Sequence, residues 1–322
     1  MSRFWMIVLI TIISSKLMAS DKELKLKDAY FGEKQDLELS GMVKIGDKFY
    51  VVSDKGKDHF LYELELLKNK FKIKAAHDFS GYKGYSEYLS SLQKIKKIKK
   101  SSRRIDLEGL AACGETIYVA NERVRQIFTL TSNQLVHLPI DFTAYARLFD
   151  GGDNAGFEGI AVDCDKKILY VAKERGPRQI FKVDLKSLKV ISNKDFAGSD
   201  RQGQKVINPR NGEGLQLIDA DIAGMHFYDG HLYVLERNTF EVSKLNPITL
   251  QVVSRVSYWK TARYLYQNEE PYGLAEALYV DDKSVYIGID NGPYHLTRRV
   301  FDEFGASGTG SALLRFKRPK KF

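Results

Sequence analysis

This chain of 322 residues lacks the familiar catalytic motifs. It has no Gly-x-Ser-x-Gly elbow, no His-Glu-x-x-His pair, no phosphate-binding loop and no dinucleotide fingerprint. That argues against a serine esterase, a zinc peptidase and a nucleotide-dependent enzyme of the usual kinds. Histidine is scarce, and its six copies are scattered without ligand spacing. Cysteine is scarcer still, with Cys113 and Cys164 alone. They fall near the same point of two similar segments, so either a disulfide between neighbouring sheets or two buried thiols would fit. The one long apolar run, residues 4–13, is too short to span a bilayer.

That run is instead read as the centre of a secretory leader, residues 1–19, with Arg3 before it and small residues near Ala19 and Ser20. The remainder, residues 20–322, is expected to be one exported domain, periplasmic or secreted, monomeric and without a membrane anchor. An apolar share of 43% allows a sizeable core, and 12% aromatics suits packed sheets. The formal charge is +9, and loss of Arg3 and Lys16 with the leader would leave +7. Such a balance suits an anionic small molecule or surface ligand, and it also suits a lysine-rich face in water.

The chain repeats itself. Residues 106–130 contain Glu108-Gly109, an apolar run, a polar turn, a Tyr-Val-Ala strand, Glu122-Arg123 and Arg-Gln-Ile-Phe. Residues 156–185 repeat this order with Glu158-Gly159 and Glu174-Arg175. Looser copies lie at residues 40–65, at 223–245 (with Glu236-Arg237) and at 276–292, the last continued by 311–316. Five copies at intervals of roughly 50 to 70 residues predict a closed array of sheets. The fold class is therefore all-β, a β-propeller of five blades by repeat count, with six as the alternative. Residues 23–31 alternate apolar and charged side chains and lack a nearby partner, so they are expected to pair with 311–316 and close the ring.

Between the first two copies, residues 84–100 have a three-to-four-residue apolar period, which predicts a short inserted helix with a very basic face. No aromatic platform or nucleic-acid motif accompanies it, so nucleic acid is not expected as a partner. Residues 150–156, rich in Gly, Asp and Asn, form a tight loop leading into Glu158. Residues 317–322 read as a basic tail.

Hairpin arithmetic places the chemistry. A turn at Gly114-Glu115 sets Glu108 across from Asn121 and beside Glu122, and the Asp229-Gly230 turn sets Ala223 across from Glu236. By the same count Glu158 falls near Glu174, and Glu276 near Asp290. If the first strands are innermost, Glu108, Glu158 and Glu276 converge at one channel mouth. Several carboxylates there need a cation, a shared proton or arginine partners. Arg123, Arg175 and Arg237 could pair with them or hold an anionic ligand, or the acids and arginines could simply tie blades together.

The Ser-Gly-Met, Glu-Gly-Leu, Glu-Gly-Ile and Ala-Gly-Met starts, each followed by a Tyr-Val strand, resemble the phytase-like family ("esterase-like activity of phytase") over most of residues 36–316. That resemblance implies an exported propeller, often with a metal at its channel mouth, and a hydrolase of phosphate or carboxylate esters. The positions it carries over are Glu108, Glu158 and Glu276, as catalytic and metal-binding residues. Calcium is the expected ion, with Asp153 as a further ligand. Arg123, Arg175, Arg237, Glu122, Glu174 and Glu236 are the expected substrate-binding residues. The alternative is a non-catalytic propeller that binds an anionic ligand or a partner protein.

Overall fold

The structure is a computed structural model that describes residues 22–32, 38–53, 60–84, 107–122, 125–131, 134–149, 156–198, 205–206, 216–217, 221–266, 275–290, 295–308 and 310–322. The residues read as a leader, those beyond residue 84 read as an inserted basic helix, Arg123 and Asp153 lie outside the described residues.

Short strands alternating with tight turns build a succession of antiparallel meanders. After β1 (Lys25–Gly32) come β2 (Gly41–Ile45), β3 (Lys48–Val52), β4 (Phe60–Leu66) and β5 (Lys70–Asp78). A second meander holds β6 (Leu107–Cys113), β7 (Thr116–Asn121), β8 (Gln126–Thr131) and β9 (Gln134–Leu138). The third holds β10 (Phe157–Asp163), β11 (Ile168–Lys173), β12 (Gln179–Asp184) and β13 (Lys189–Asp195). A small pair, β14 (Lys205–Val206) and β15 (Gln216–Leu217), precedes the fourth: β16 (Ile222–Tyr228), β17 (His231–Glu236), β18 (Glu241–Leu245) and β19 (Val252–Ser257). The last strands are β20 (Ala275–Val280), β21 (Ser284–Ile289) and β22 (Ala312–Lys317).

The expected closure is present. β1 pairs antiparallel with β22, from Lys25 opposite Lys317 to Phe31 opposite Ala312. It also touches β5 in parallel at Phe31 and Gly32, which joins the first and last meanders into one eight-stranded sheet. The other three meanders are separate four-stranded sheets. The apolar core is accordingly divided into wedges between successive sheets. Val43, Leu61, Leu110 and Phe128 fill one wedge, Ala111, Phe157, Ile160 and Phe181 the next, and Tyr170, Met225 and Val234 a third. Leu39, Met42, Phe49 and Tyr286 close the last sheet onto the first. This is a propeller-like array.

Cys113 and Cys164 form a disulfide with a Cα–Cα distance of 5.7 Å. It ties the end of β6 to the turn after β10. Closing a loop of 51 residues in the unfolded chain stabilises the fold by about 4 kcal/mol in the chain-entropy account. Among the described residues no helix is long and apolar enough to cross a membrane. Residues 317–322 are docked rather than free. Phe322 is buried edge-on against Tyr233, and Arg318 donates Nε to the Phe322 carbonyl (2.9 Å) and Nη2 to the Tyr233 hydroxyl (2.8 Å). A tail with an aromatic terminus gains more from that apolar seat than its charges gain from water.

Candidate functional site

The first strands β2, β6, β10, β16 and β20 line one channel, and glycines set how closely they approach. A Cβ on Gly109 would lie 2.7 Å from the Glu158 carbonyl, and one on Gly41 would lie 2.7 Å from the Glu108 carbonyl. Real Cβ atoms essentially never come so close, so only glycine fits there. The cup at the mouth is tight, with a free volume of about 10 Å³. Its rim carries Ser40, Glu108, Glu158 and Glu276, and below them lie Met42, Leu110, Ile160, Met225 and Leu278. The apolar floor explains why the acids above it are poorly solvated.

The hairpins that start with β6, β10, β16 and β20 depart from simple arithmetic by one residue at the same place, whereas β2 and β3 pair without a shift. Leu107, not Glu108, stands opposite Asn121, while Gly109 stands opposite Ala120. Ile222 rather than Ala223 faces Glu236, and Ala275 rather than Glu276 faces Ile289. In β10 the ladder skips from Phe157 to Ile160. Glu108, Glu158, Ala223 and Glu276 are thus bulge residues. A bulge frees its extra residue from the ladder and re-aims it. It also brings three acids, each from a different strand, to one spot.

Glu108, Glu158 and Glu276 are all buried, and one carboxylate oxygen from each lies within 4.8 Å of the other two. Glu122, Glu158 and Glu174 form a second such group, also within 4.8 Å. Arg237 binds across sheets: its guanidinium contacts Glu174 and lies 2.6 Å from Glu276 and 3.7 Å from Asp221. Arg175 contacts Glu174 and lies 3.6 Å from Asp221, with a third of its side chain exposed. Glu236 turns elsewhere. It accepts from Ser243 and lies 3.5 Å from Arg255, both in its own sheet. Glu158 has no hydrogen bond or ion pair among the described residues.

Asp221 and Lys173 are members that sequence reasoning missed. Asp221 precedes β16 and accepts from Asn238 (3.0 Å) as well as facing both arginines. No repeat marks it. Lys173, the last residue of β11, is almost wholly buried with Nζ 5.6 Å from the Phe149 ring. It occupies an apolar position of the strand pattern, which hid it.

Burial dominates the electrostatics. It pushes Glu158 well above the usual carboxylate range, reinforced by Glu174, Glu108 and Glu122 and only partly offset by Arg237. Burial likewise raises Glu276 to about 7, against the pull of Arg237 and with help from Asp290. Asp221 is raised by burial too, and Lys173 is lowered by it. For Arg237 burial works downward, but Glu276, Glu174, Glu158 and Asp221 outweigh it and hold the guanidinium charged.

These shifts give stability a sign. A carboxyl whose folded pKa exceeds its unfolded value binds more protons when folded, so its contribution is full below the unfolded pKa and is lost as pH rises. For Glu276 the window runs from 4.5 to about 7. The metal-free protein should therefore melt at progressively lower temperature across that window, and Glu276→Gln should flatten the slope. The exposed Asp141 and Asp184, whose pKa values are lowered by hydrogen bonds from Thr143 and Ser187, act at lower pH. Scanning calorimetry between pH 4 and 8 on both proteins checks this; parallel curves would contradict it.

Over residues 38–256 the sequence matches the phytase-like family, described as having the esterase-like activity of phytase. This chain belongs to that family. No curated protein matches it in sequence. Among solved structures this phytase-like chain is similar to glutaminyl cyclase of Myxococcus xanthus, at 12% identity and a TM-score of 0.52, over 92% of this chain and 96% of that one. At such identity the likeness concerns the fold. A chain of the nidogen/laminin complex aligns at 14% identity and a TM-score of 0.40, over 81% and 76%.

Proposed function

We propose that this phytase-like chain is an exported propeller of five blades whose ring of acids holds a divalent cation and hydrolyses phosphate or carboxylate esters. The observation that carries the reading is the meeting of Glu108, Glu158 and Glu276 within 4.8 Å over an apolar floor. The donor set fits such an ion. It consists of hard carboxylate oxygens, which suit calcium. Glu158 is buried and makes no hydrogen bond or ion pair among the described residues. When bound, the cation would supply Lewis-acid polarisation of an ester or phosphoryl oxygen.

The chain's own residues do the rest. Arg237 is spent on Glu174 and Glu276 and holds the acids in register. Arg175, part-exposed, is the described arginine best placed to hold the anionic portion of a substrate, with Arg123 as the corresponding residue of the second repeat. Raised carboxyl pKa values mean that cation binding displaces protons, so affinity rises with pH. Export is supported by the leader pattern and by the Cys113–Cys164 disulfide.

One observation favours a second reading, that of a non-catalytic propeller binding an anionic ligand or a partner protein. Arg237 already satisfies two of the acids and could make the ring a lock between sheets. Melting curves with calcium and with chelator separate the two. On the first reading calcium at 100 times its Kd stabilises by about 2.7 kcal/mol, and Glu158→Gln abolishes both that gain and turnover of small phosphate or carboxylate esters. A wild-type melting point indifferent to calcium and to chelator would refute the cation.

A further inference from the structure

Two short helices stand outside the sheets and take no part in the proposed chemistry: α1 (Trp259–Leu265) and α2 (Arg298–Phe304). They lie side by side. Thr297 caps α2 by accepting the Val300 N–H, and it donates its own N–H and hydroxyl to the Leu265 and Tyr264 carbonyls (both 2.9 Å). Ala262, Leu265 and Val300 are buried together with Val242, Ile287 and Leu314 of the sheets. What the helices leave exposed is Lys260, Arg263, Arg298, Arg299 and Phe301, with Asp302 and Glu303 as the acids.

That exposed face has the make-up of an element that lies at a lipid surface. Phe301 is 46% exposed, with the Arg298 guanidinium 4.9 Å above its ring. Trp259 is half-buried, with Arg263 5.3 Å above its ring. Aromatic rings settle at the level of lipid headgroups, while long basic side chains extend past them to the phosphates. Four basic residues against two acidic ones make the face complementary to an anionic surface.

The start of the fold points the same way. The Ser257 N–H donates to the Lys22 carbonyl (3.0 Å), and the Leu24 N–H donates to the Ser257 carbonyl (2.7 Å). The Lys260 N–H donates to Glu23 Oε1 (2.7 Å). Residues 22–24 are thus fixed at the beginning of α1, and the stretch read as a leader joins the fold there. Between Lys22 and the apolar run 4–13, residues 14–21 reach at most about 30 Å when fully extended. A run held in a bilayer during export therefore keeps α1 close to that bilayer.

We propose that α1 and α2 form a docking face for an anionic lipid surface, on which the exported protein rests once its leader is gone. This goes beyond the cation reading of the channel mouth and does not depend on it.

Trp259 is the one tryptophan outside residues 1–19, so it reports on the face directly. The exported chain, its leader removed, is titrated at low salt with vesicles of phosphatidylserine and phosphatidylcholine in equal parts. Trp259 emission should shift to the blue and be quenched by brominated acyl chains, whereas phosphatidylcholine alone should leave it unchanged. Lys260→Ser combined with Arg299→Ser should weaken partitioning about 25-fold, at roughly fivefold per basic residue. Lys186→Ser combined with Lys189→Ser, which removes the same charge from the exposed edge of the third meander, should leave partitioning nearly unchanged. Equal weakening by the two pairs would mean that net charge alone attracts the chain, and would overturn the proposal. Anionic vesicles that leave the wild-type Trp259 emission unshifted and unquenched would overturn it as well, and that result decides even if a variant fails to fold.

Discussion

Arg237→Ala is expected to cost the fold about 3–5 kcal/mol, the range for removing one partner of a buried ion pair. The side chain is 11% exposed and is the shared cation of Glu174, Glu276 and Asp221. Without it those carboxylates face one another across a poorly solvated cup. The folded pKa values of Glu276 and Asp221 would then rise further above the unfolded ones, so the deficit should shrink as pH falls and these carboxyls take up protons. Arg237→Lys should recover only part, because an ammonium cannot fork between two carboxylates from different sheets. Urea denaturation of the three proteins at pH 5 and pH 8 measures this. A loss below about 1 kcal/mol at pH 8 would mean the network behaves like a surface pair.

Deleting residues 22–32 should have the larger effect. This segment holds three meanders at once. β1 pairs with β22 along its length and with β5 at its end, while Leu24 donates to the Ser257 carbonyl (2.7 Å) at the edge of a further sheet. Leu24, Ala29 and Phe31 are buried with it. Burial of Leu24 and Phe31 alone is worth about 1.5–3 kcal/mol each. The deletion would also strip β22 and β5 of a partner strand and open the ring. Set against a total stability of about 5–15 kcal/mol, that is enough to abolish cooperative folding. Near-ultraviolet circular dichroism and a thermal melt of the truncated chain would show it; an unchanged melting transition would refute closure by this strand.

The repeat was legible because it is made of local signals. Asp229-Gly230 must turn, and both residues have positive φ, as a tight two-residue hairpin turn demands. The alternating strand at 23–31 without a nearby partner, and the missing fourth strand of the last repeat, were enough to pair β1 with β22. The acids of the channel were legible for the same reason, since each begins a repeat. The bulges were not. A bulge conserves the hydrophobic alternation on either side and adds one residue, so a count from the turn runs past it without contradiction. Ala223 shows the limit most plainly. It holds the place of a ring acid without offering a carboxylate, and only the fold shows Arg237 of the next strand's end reaching across to Glu174 and Glu276. Lys173 was hidden by its apolar place in the strand pattern, and Asp221 because Arg175 and Arg237 meet it only in the fold.

By itself the sequence determined an all-β repeating chain, its closing strand, the phytase-like kinship and the three acids at the mouth, because turns, alternation and repeated dipeptides are properties of neighbouring residues. Tertiary structure decided how those acids are charged, which arginine holds them, that Cys113 and Cys164 are joined, and that Glu158 stands in two groups. Those facts depend on desolvation and on distances between sheets, and neither exists until the ring has closed.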